Sequence, residues 1–89
     1  MTGQELITRA NVHFGIDITK CKDFGKDGFA DRCFTAYYAI TELNMPYTEL
    51  ANAIDEQDRT KLRLMWLYAE GLMGVVQSRN RYKQFTLTL

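Results

Sequence analysis

The sequence predicts an all-α protein: a small helical bundle containing a helix-turn-helix, a long loop between its first two helices and a short extended C-terminal segment. Apolar residues recur three or four apart in four segments, the spacing of one helix face. Glycines and the single proline separate these segments. A chain of 89 residues, 46% of them apolar, forms one domain. We expect a core over residues 3–73 and a tail over 74–89.

The first predicted helix covers the segment TGQELITRANVHF. Thr2 precedes it with Glu5 three residues later, which is the arrangement of a capping box. His13 lies near its end without a second histidine or a nucleophile nearby. We therefore expect His13 to be a half-buried packing residue and no residue to be catalytic.

The segment FGIDITKCKDFGKDG predicts a long connection, because its glycines interrupt any helical period. Its residues 16–18 alternate in polarity like an extended piece. Three lysines follow at Lys20, Lys22 and Lys26. They indicate either a solvated loop, since Asp23 and Asp27 offset two of the three charges, or a basic loop that contacts phosphates.

The central helix is predicted from about Asp27 to Leu43. Its apolar residues form one stripe that faces the core: Phe29, Cys33, Ala36, Tyr37, Ile40 and Leu43. The polar residues take the other side: Asp31, Arg32, Thr35 and Glu42. Cys33 is predicted to be a small core residue, and Cys21 a loop thiol without a role.

The stretch MPYTELANAIDEQDRTKLRLM, residues 45–65, predicts the helix-turn-helix. Pro46 ends the central helix, and a short helix then runs to Ile54. Asp58 is a good N-cap for the last major helix, expected to Met73. In that helix, Arg59, Thr60, Lys61 and Arg63 occupy the first two turns, where a groove-reading helix needs its donors.

Two leucines complicate the exposed face of the last major helix. Leu64 and Leu67 are apolar on the side that DNA would meet, so either the tail GVVQSRNRYKQFTLTL or a partner protein covers them. The tail ends in FTLTL, which alternates like a strand with no partner in the chain. Leu64, Leu67, Phe85 and Leu87 are therefore candidates for a protein interface or for self-association. The tail's Arg79, Arg81 and Lys83 are either phosphate contacts or a solvated basic end.

Charge is unevenly distributed, although the net charge is zero. Residues 1–56 carry five basic and nine acidic side chains, and residues 57–89 carry six basic and two acidic ones, which gives −4 and +4. The basic end can meet a phosphate backbone, with weak long-range attraction. Two cysteines and one histidine make no zinc set, so we expect no metal and no cofactor. Without a secretory signal or an apolar span, we expect a cytoplasmic protein and no membrane partner.

The order of these features resembles the C-terminal DNA-binding domain of the bacterial replication initiator DnaA. The resemblance covers roughly residues 4 to 73 and lies in VHFGIDITK, the basic loop, a long helix, PYTELANAI and DRTKL. Residues 57–62 lie on the family's signature, Arg-Asp-His-Thr-Thr-Val: Asp58 and Thr60 match, whereas Arg59 and Lys61 replace a histidine and a threonine. Ala30-Asp31-Arg32 loosely echoes the family's Ala-Arg pair.

The resemblance implies that the signature residues read bases in the major groove while the basic loop approaches the minor groove. The family's loop supplies an arginine for this, and the loop here holds only lysines. There is no Gly-rich phosphate loop followed by Lys-Ser or Lys-Thr, so no ATPase module is present. A free-standing domain of this kind is similar to a small phage or mobile-element protein that acts in a bacterial host cell.

Two functions follow as hypotheses. The first is a non-enzymatic double-stranded DNA-binding protein, such as a phage or mobile-element regulator or replication accessory. It would use Asp58, Arg59, Thr60, Lys61 and Arg63 with the three loop lysines. The second is a protein-interaction module of the same fold that does not bind DNA and meets a host protein, a virion protein or a second copy. Neither hypothesis includes a small-molecule substrate.

Overall fold

The computed structural model describes all 89 residues and confirms the all-α fold class. Five α-helices follow one another in the chain: α1 (Gly3–Phe14), α2 (Phe29–Thr41), α3 (Tyr47–Ile54), α4 (Arg59–Leu72) and α5 (Val76–Thr86). One short 3₁₀ turn, Ile18–Lys20, lies in the connection between α1 and α2. There are no strands.

The first helix begins as its capping residues predict. The Thr2 hydroxyl accepts a hydrogen bond from the Glu5 N–H at 3.1 Å, and the Glu5 carboxylate accepts one from the Thr2 N–H at 3.1 Å. Both bonds satisfy donors that the first turn of a helix leaves free. These hydrogen bonds hold the pKa of Glu5 below its ordinary value.

Residues 16–18, whose alternation predicted an extended piece, form no strand: Asp17 has extended backbone angles, and the 3₁₀ turn begins directly after it. Ile18 is fully buried and begins the 3₁₀ turn, and its N–H donates to the side-chain carbonyl of Asn11 at 2.9 Å. The connection closes at Gly28, where φ is +86°. A Cβ there would lie 2.6 Å from the Ile16 Cδ1, so glycine fits the close approach and the backbone angle.

The centre of the bundle is α2, which packs mainly against α4 and also contacts α1 and α3. Its residues 31–36 are all buried. The polar side of the helix, with Asp31, Arg32 and Thr35, is therefore buried like the apolar stripe. A single apolar stripe describes a helix covered on one side, whereas α2 is covered on both, and its polar residues are buried with their own partners.

The buried thiol of Cys33 belongs to the core on α2, as predicted. Burial raises the pKa of Cys33 to about 12. Cys21 is a free, partly exposed thiol in the connection, where its pKa is also raised by burial. The imidazole of His13 packs against the rings of Phe14 and Phe85, so His13 is the expected packing residue.

The C-terminal segment is helical, so the predicted extended piece is wrong. Helix α5 continues to Thr86, and Tyr82 and Phe85 are three apart on its buried face. The Phe85 ring packs against Phe14, with 4.8 Å between ring centres, and the Tyr82 ring packs against Phe34 at 5.7 Å. A helix bonds its own backbone, whereas a lone strand would leave backbone groups without partners. The hydrophobic core therefore extends beyond residue 73.

Candidate nucleic-acid interface

The turn between α3 and α4 has the form of a helix-turn-helix corner. Helix α3 ends at Ile54, and Asp55 then takes a left-handed conformation with φ +60°. Aspartate tolerates this conformation better than most residues, which explains how the corner forms without the glycine often found there. Asp58 caps α4 by accepting a hydrogen bond from the Thr60 N–H at 2.8 Å. The predicted N-cap is confirmed.

A buried arginine anchors this corner from within the bundle. Arg32 is 1% exposed, and its Nη1 donates to the Ile54 carbonyl at 2.6 Å and to the Ile18 carbonyl at 3.1 Å. Its Nη2 donates to the Glu56 carboxylate at 3.4 Å. Burial lowers the pKa of Arg32, and the charge of Glu56 opposes that shift. One side chain therefore joins α2, the 3₁₀ turn and the helix-turn-helix corner.

The first two turns of α4 present three cations to solvent. Arg59, Lys61 and Arg63 are exposed and form no ion pair or side-chain hydrogen bond within the molecule. The Arg59 guanidinium lies 5.6 Å from the ring centre of Tyr47 on α3, a cation–π contact that leaves its hydrogen-bond donors free. The Thr60 hydroxyl is also exposed beside them. The geometry brings these predicted site residues together.

Of the three loop lysines, Lys22 is the one tied to the corner. Its Nζ lies 3.1 Å from the Asp55 carboxylate. Lys22 and Lys61 also line one groove between the loop and α4. Lys20 and Lys26 are exposed, and no hydrogen bond or ion pair of their side chains links them to α4. Asp23 and Asp27 form no ion pair with any of these lysines.

The four residues predicted for a protein interface fall into two groups. Leu64, Leu67 and Leu87 are exposed by 57%, 44% and 81%. Phe85 is fully buried and belongs to the core, so its assignment to an external interface is wrong. The physical reason is the helical period of α5, which turns Phe85 inward and Leu87 outward. The tail does not cover Leu64 and Leu67, because α5 packs through its rings on α1 and α2.

One basic residue of the tail is committed to the fold. Arg81 forms two hydrogen bonds with the Asp31 carboxylate, from Nε at 2.8 Å and from Nη2 at 2.9 Å. This pairing raises the pKa of Arg81. The guanidinium also lies 5.4 Å from the ring centre of Phe14. Arg81 therefore joins α5 to α2. The two alternatives for the tail, phosphate contacts or a solvated basic end, now concern Arg79 and Lys83, which form no ion pair.

Sequence reasoning missed Arg32 as the anchor of the corner and Phe24 as a surface aromatic. Arg32 carries no sequence signal of burial, because its partners are carbonyls whose positions depend on the tertiary fold. Phe24 did carry a signal: it is an isolated aromatic residue in a loop of lysine, aspartate and glycine. It is 74% exposed beside α4.

The side chains gather no group of three or more His, Cys, Asp or Glu residues that could hold a metal ion. None of the helices is both long and apolar enough to cross a membrane. No protein-family model, curated protein or solved structure matches this chain.

Proposed function

We propose that this chain is a non-enzymatic double-stranded DNA-binding protein whose α4 enters the major groove. The observation that carries the proposal is the first two turns of α4. They place Arg59, Lys61 and Arg63 in solvent, without an ion pair, at the start of the second helix of the helix-turn-helix. Arginine and lysine donate to guanine edges and to phosphates, and Thr60 can donate to either.

The rigidity of the corner supports this role. Asp58 caps α4, and Arg32 bonds the carbonyl that ends α3, so hydrogen bonds within the chain brace both ends of the turn. A site built on a fixed helix loses less conformational entropy on binding than a mobile one. Asp58 acts here by positioning the helix, since its carboxylate cannot donate to a phosphate.

The loop lysines complete the proposed surface as backbone contacts. The Lys22–Asp55 pair is exposed, at 45% and 68% for the two side chains, so solvent screens it and it contributes little to stability. Lys22 can therefore exchange its carboxylate partner for a phosphate at small cost. Lys20 and Lys26 are the other two candidates for such contacts. The resemblance to the DnaA domain, and with it a phage or mobile-element role in a bacterial cytoplasm, stays a prediction.

The test removes two of the α4 cations. Arg59→Ala with Arg63→Ala should weaken binding to a labelled mixed-sequence duplex by about 30-fold or more, because each lost contact costs about 1 kcal/mol at least. Arg9→Ala with Lys83→Ala removes the same charge from exposed positions on α1 and α5. The control pair should change affinity far less. Equal losses in the two variants, with thermal unfolding unchanged, would overturn the assignment of α4.

The second candidate function is protein interaction, and the exposed leucines of α4 favour it. Leu64 and Leu67 lie three apart and are 57% and 44% exposed, and no element of the chain covers them. In a protein-interaction module, Leu64→Glu with Leu67→Glu should abolish complex formation, whereas Val12→Glu, at a 79% exposed position of α1, should leave it intact. A complex that survives the Leu64 and Leu67 changes would exclude this face.

A further inference from the structure

A half-open groove of about 430 Å³ lies between the α1–α2 loop and the outer side of α4. Its apolar lining consists of Phe24 from the loop, Phe29 at the start of α2, and Leu64 and Tyr68 from α4. Met65 and the buried Arg32 lie deeper. This volume is in the range of ligand-binding clefts, although the groove is open along one side.

The aromatic wall of the groove is built before any ligand arrives. The rings of Phe24, Phe29 and Tyr68 meet pairwise edge to face, with centres 5.4 to 5.6 Å apart. Backbone hydrogen bonds brace the loop, from the Lys26 N–H to the Asp23 carbonyl at 3.1 Å and from the Phe29 N–H to the Lys26 carbonyl at 3.2 Å. Yet Phe24 remains 74% exposed, an apolar surface that gains free energy when a ligand covers it.

The charges around the groove define the chemistry of its occupant. Lys22 and Lys61 lie at the exposed rim, and Arg32 adds a third positive charge at depth. Glu56 is the one acidic residue of the lining, and its carboxylate is already paired with Arg32. The lining therefore carries two more positive than negative charges around an apolar centre, and one of its cations, Lys22, is paired with Asp55 outside the lining in an exposed ion pair. The complementary ligand has apolar groups flanked by carboxylates.

We propose that this groove binds an acidic amphipathic peptide segment of a partner protein. Two neighbouring apolar side chains of the peptide pack between Phe24 and Leu64, and flanking aspartates or glutamates pair with Lys22 and Lys61. The groove is half-open, so the backbone of a peptide can stay outside while its side chains enter, as in grooves that bind short amphipathic segments. Because both lysines also belong to the proposed DNA surface, the peptide competes with DNA, and this last step rests on the proposed function.

The experiment is a selection of displayed random 12-residue peptides on the full chain. We expect enrichment of peptides with two apolar anchors flanked by acidic residues. A synthetic, fluorescein-labelled copy of the most enriched peptide then gives the affinity for each variant by anisotropy. Phe24→Ser with Leu64→Ser should weaken it by about tenfold or more, because anchor contacts dominate peptide binding. Val12→Ser with Val76→Ser, at positions exposed by 79% and 59%, should leave the affinity unchanged.

Three results would overturn the peptide-groove proposal. The first is the enrichment of neutral or basic peptides, or of peptides that bind both serine variants equally. The second is a concentration-dependent dimer of the unmodified chain that is lost in the Phe24 and Leu64 variant, which would make a second copy the occupant. The third is binding of anilinonaphthalene sulfonate in the groove with no peptide enriched, which would indicate a small apolar anion.

A competition arm separates this proposal from the proposed function. The selected peptide should displace a labelled duplex from the unmodified chain. Groove binding of an acidic peptide by a chain that shows no affinity for DNA would support the groove and overturn DNA binding. DNA binding without any enriched peptide would support the DNA-binding function and overturn the peptide groove.

Discussion

At the scale of single residues, buried polar groups determine more of this structure than its exposed charges do. Arg32 is the clearest case, because its guanidinium joins α2 to two other segments, the 3₁₀ turn and the helix-turn-helix corner, from a site that is 1% exposed. Cys33 is the second, since a fully buried thiol must stay neutral for the core to remain closed. We expect each of the two side chains to affect the free energy of unfolding measurably.

Replacing Arg32 should be costly. Arg32→Ala leaves the carbonyls of Ile18 and Ile54 and the Glu56 carboxylate without their partner, and removing one member of a buried pair costs about 3–5 kcal/mol. Arg32→Lys should recover only part of this, because one ammonium cannot reproduce the planar fork. Urea unfolding of the two variants measures both effects, with the exposed Arg9→Ala as control. A loss in Arg32→Ala no larger than in Arg9→Ala would contradict the anchoring role.

Alkaline pH should destabilise the fold through Cys33. Burial raises the pKa of the Cys33 thiol to about 12 from an ordinary value of 9.0, so the unfolded chain loses this proton at lower pH than the folded one. The contribution of the neutral Cys33 thiol to the free energy of unfolding is complete below pH 9. It falls by about 1.4 kcal/mol per pH unit as the pH rises toward 12. Urea midpoints measured across this pH range should fall less steeply for Cys33→Ala than for the unmodified chain. Parallel loss in both proteins would mean that this thiol contributes nothing to the pH dependence.

At the scale of helices, the sequence predicted those parts of the structure whose signals are local. The bounds of α1, α3 and α4 follow from caps, from Pro46 and from apolar spacing, which act within a few residues. Helix α5 did not follow, because FTLTL is compatible with a strand until Tyr82 and Phe85 are seen to pack on α1 and α2. The same limit applies to the site. The cations of α4 were predictable from helical spacing, whereas the loop's contact with Asp55 depends on the tertiary fold.

Helix α5 should contribute substantially to the free energy of unfolding through its buried residue Phe85. Phe85→Ala removes a fully buried ring and should cost about 3–5 kcal/mol, whereas Leu87→Ala, at an 81% exposed position two residues later, should change stability little. Thermal unfolding by circular dichroism measures both. If Phe85→Ala does not fold, Phe85→Leu gives a smaller, measurable loss. Equal stability of the Phe85 and Leu87 variants would show that α5 does not hold the core.

At the scale of the whole molecule, a neutral chain places three of its unpaired cations on the first two turns of α4. Arg59, Lys61 and Arg63 lie on α4, and Lys22 joins them through the loop. Long-range attraction to DNA should be weak, because the acidic residues of the first 56 positions oppose it. Affinity then depends on short-range contacts with phosphates, and each such contact adds to the salt dependence of binding.

The most direct test of DNA binding is therefore fluorescence anisotropy of a labelled mixed-sequence duplex across a salt series. Four to six phosphate contacts should give a log–log slope of about −4 to −5. Arg59→Ala with Arg63→Ala should reduce its magnitude by about 2, and changing Lys20, Lys22 and Lys26 to Gln by up to about 3. No binding at the lowest salt, or a slope that neither variant alters, would contradict the claim that this corner binds DNA.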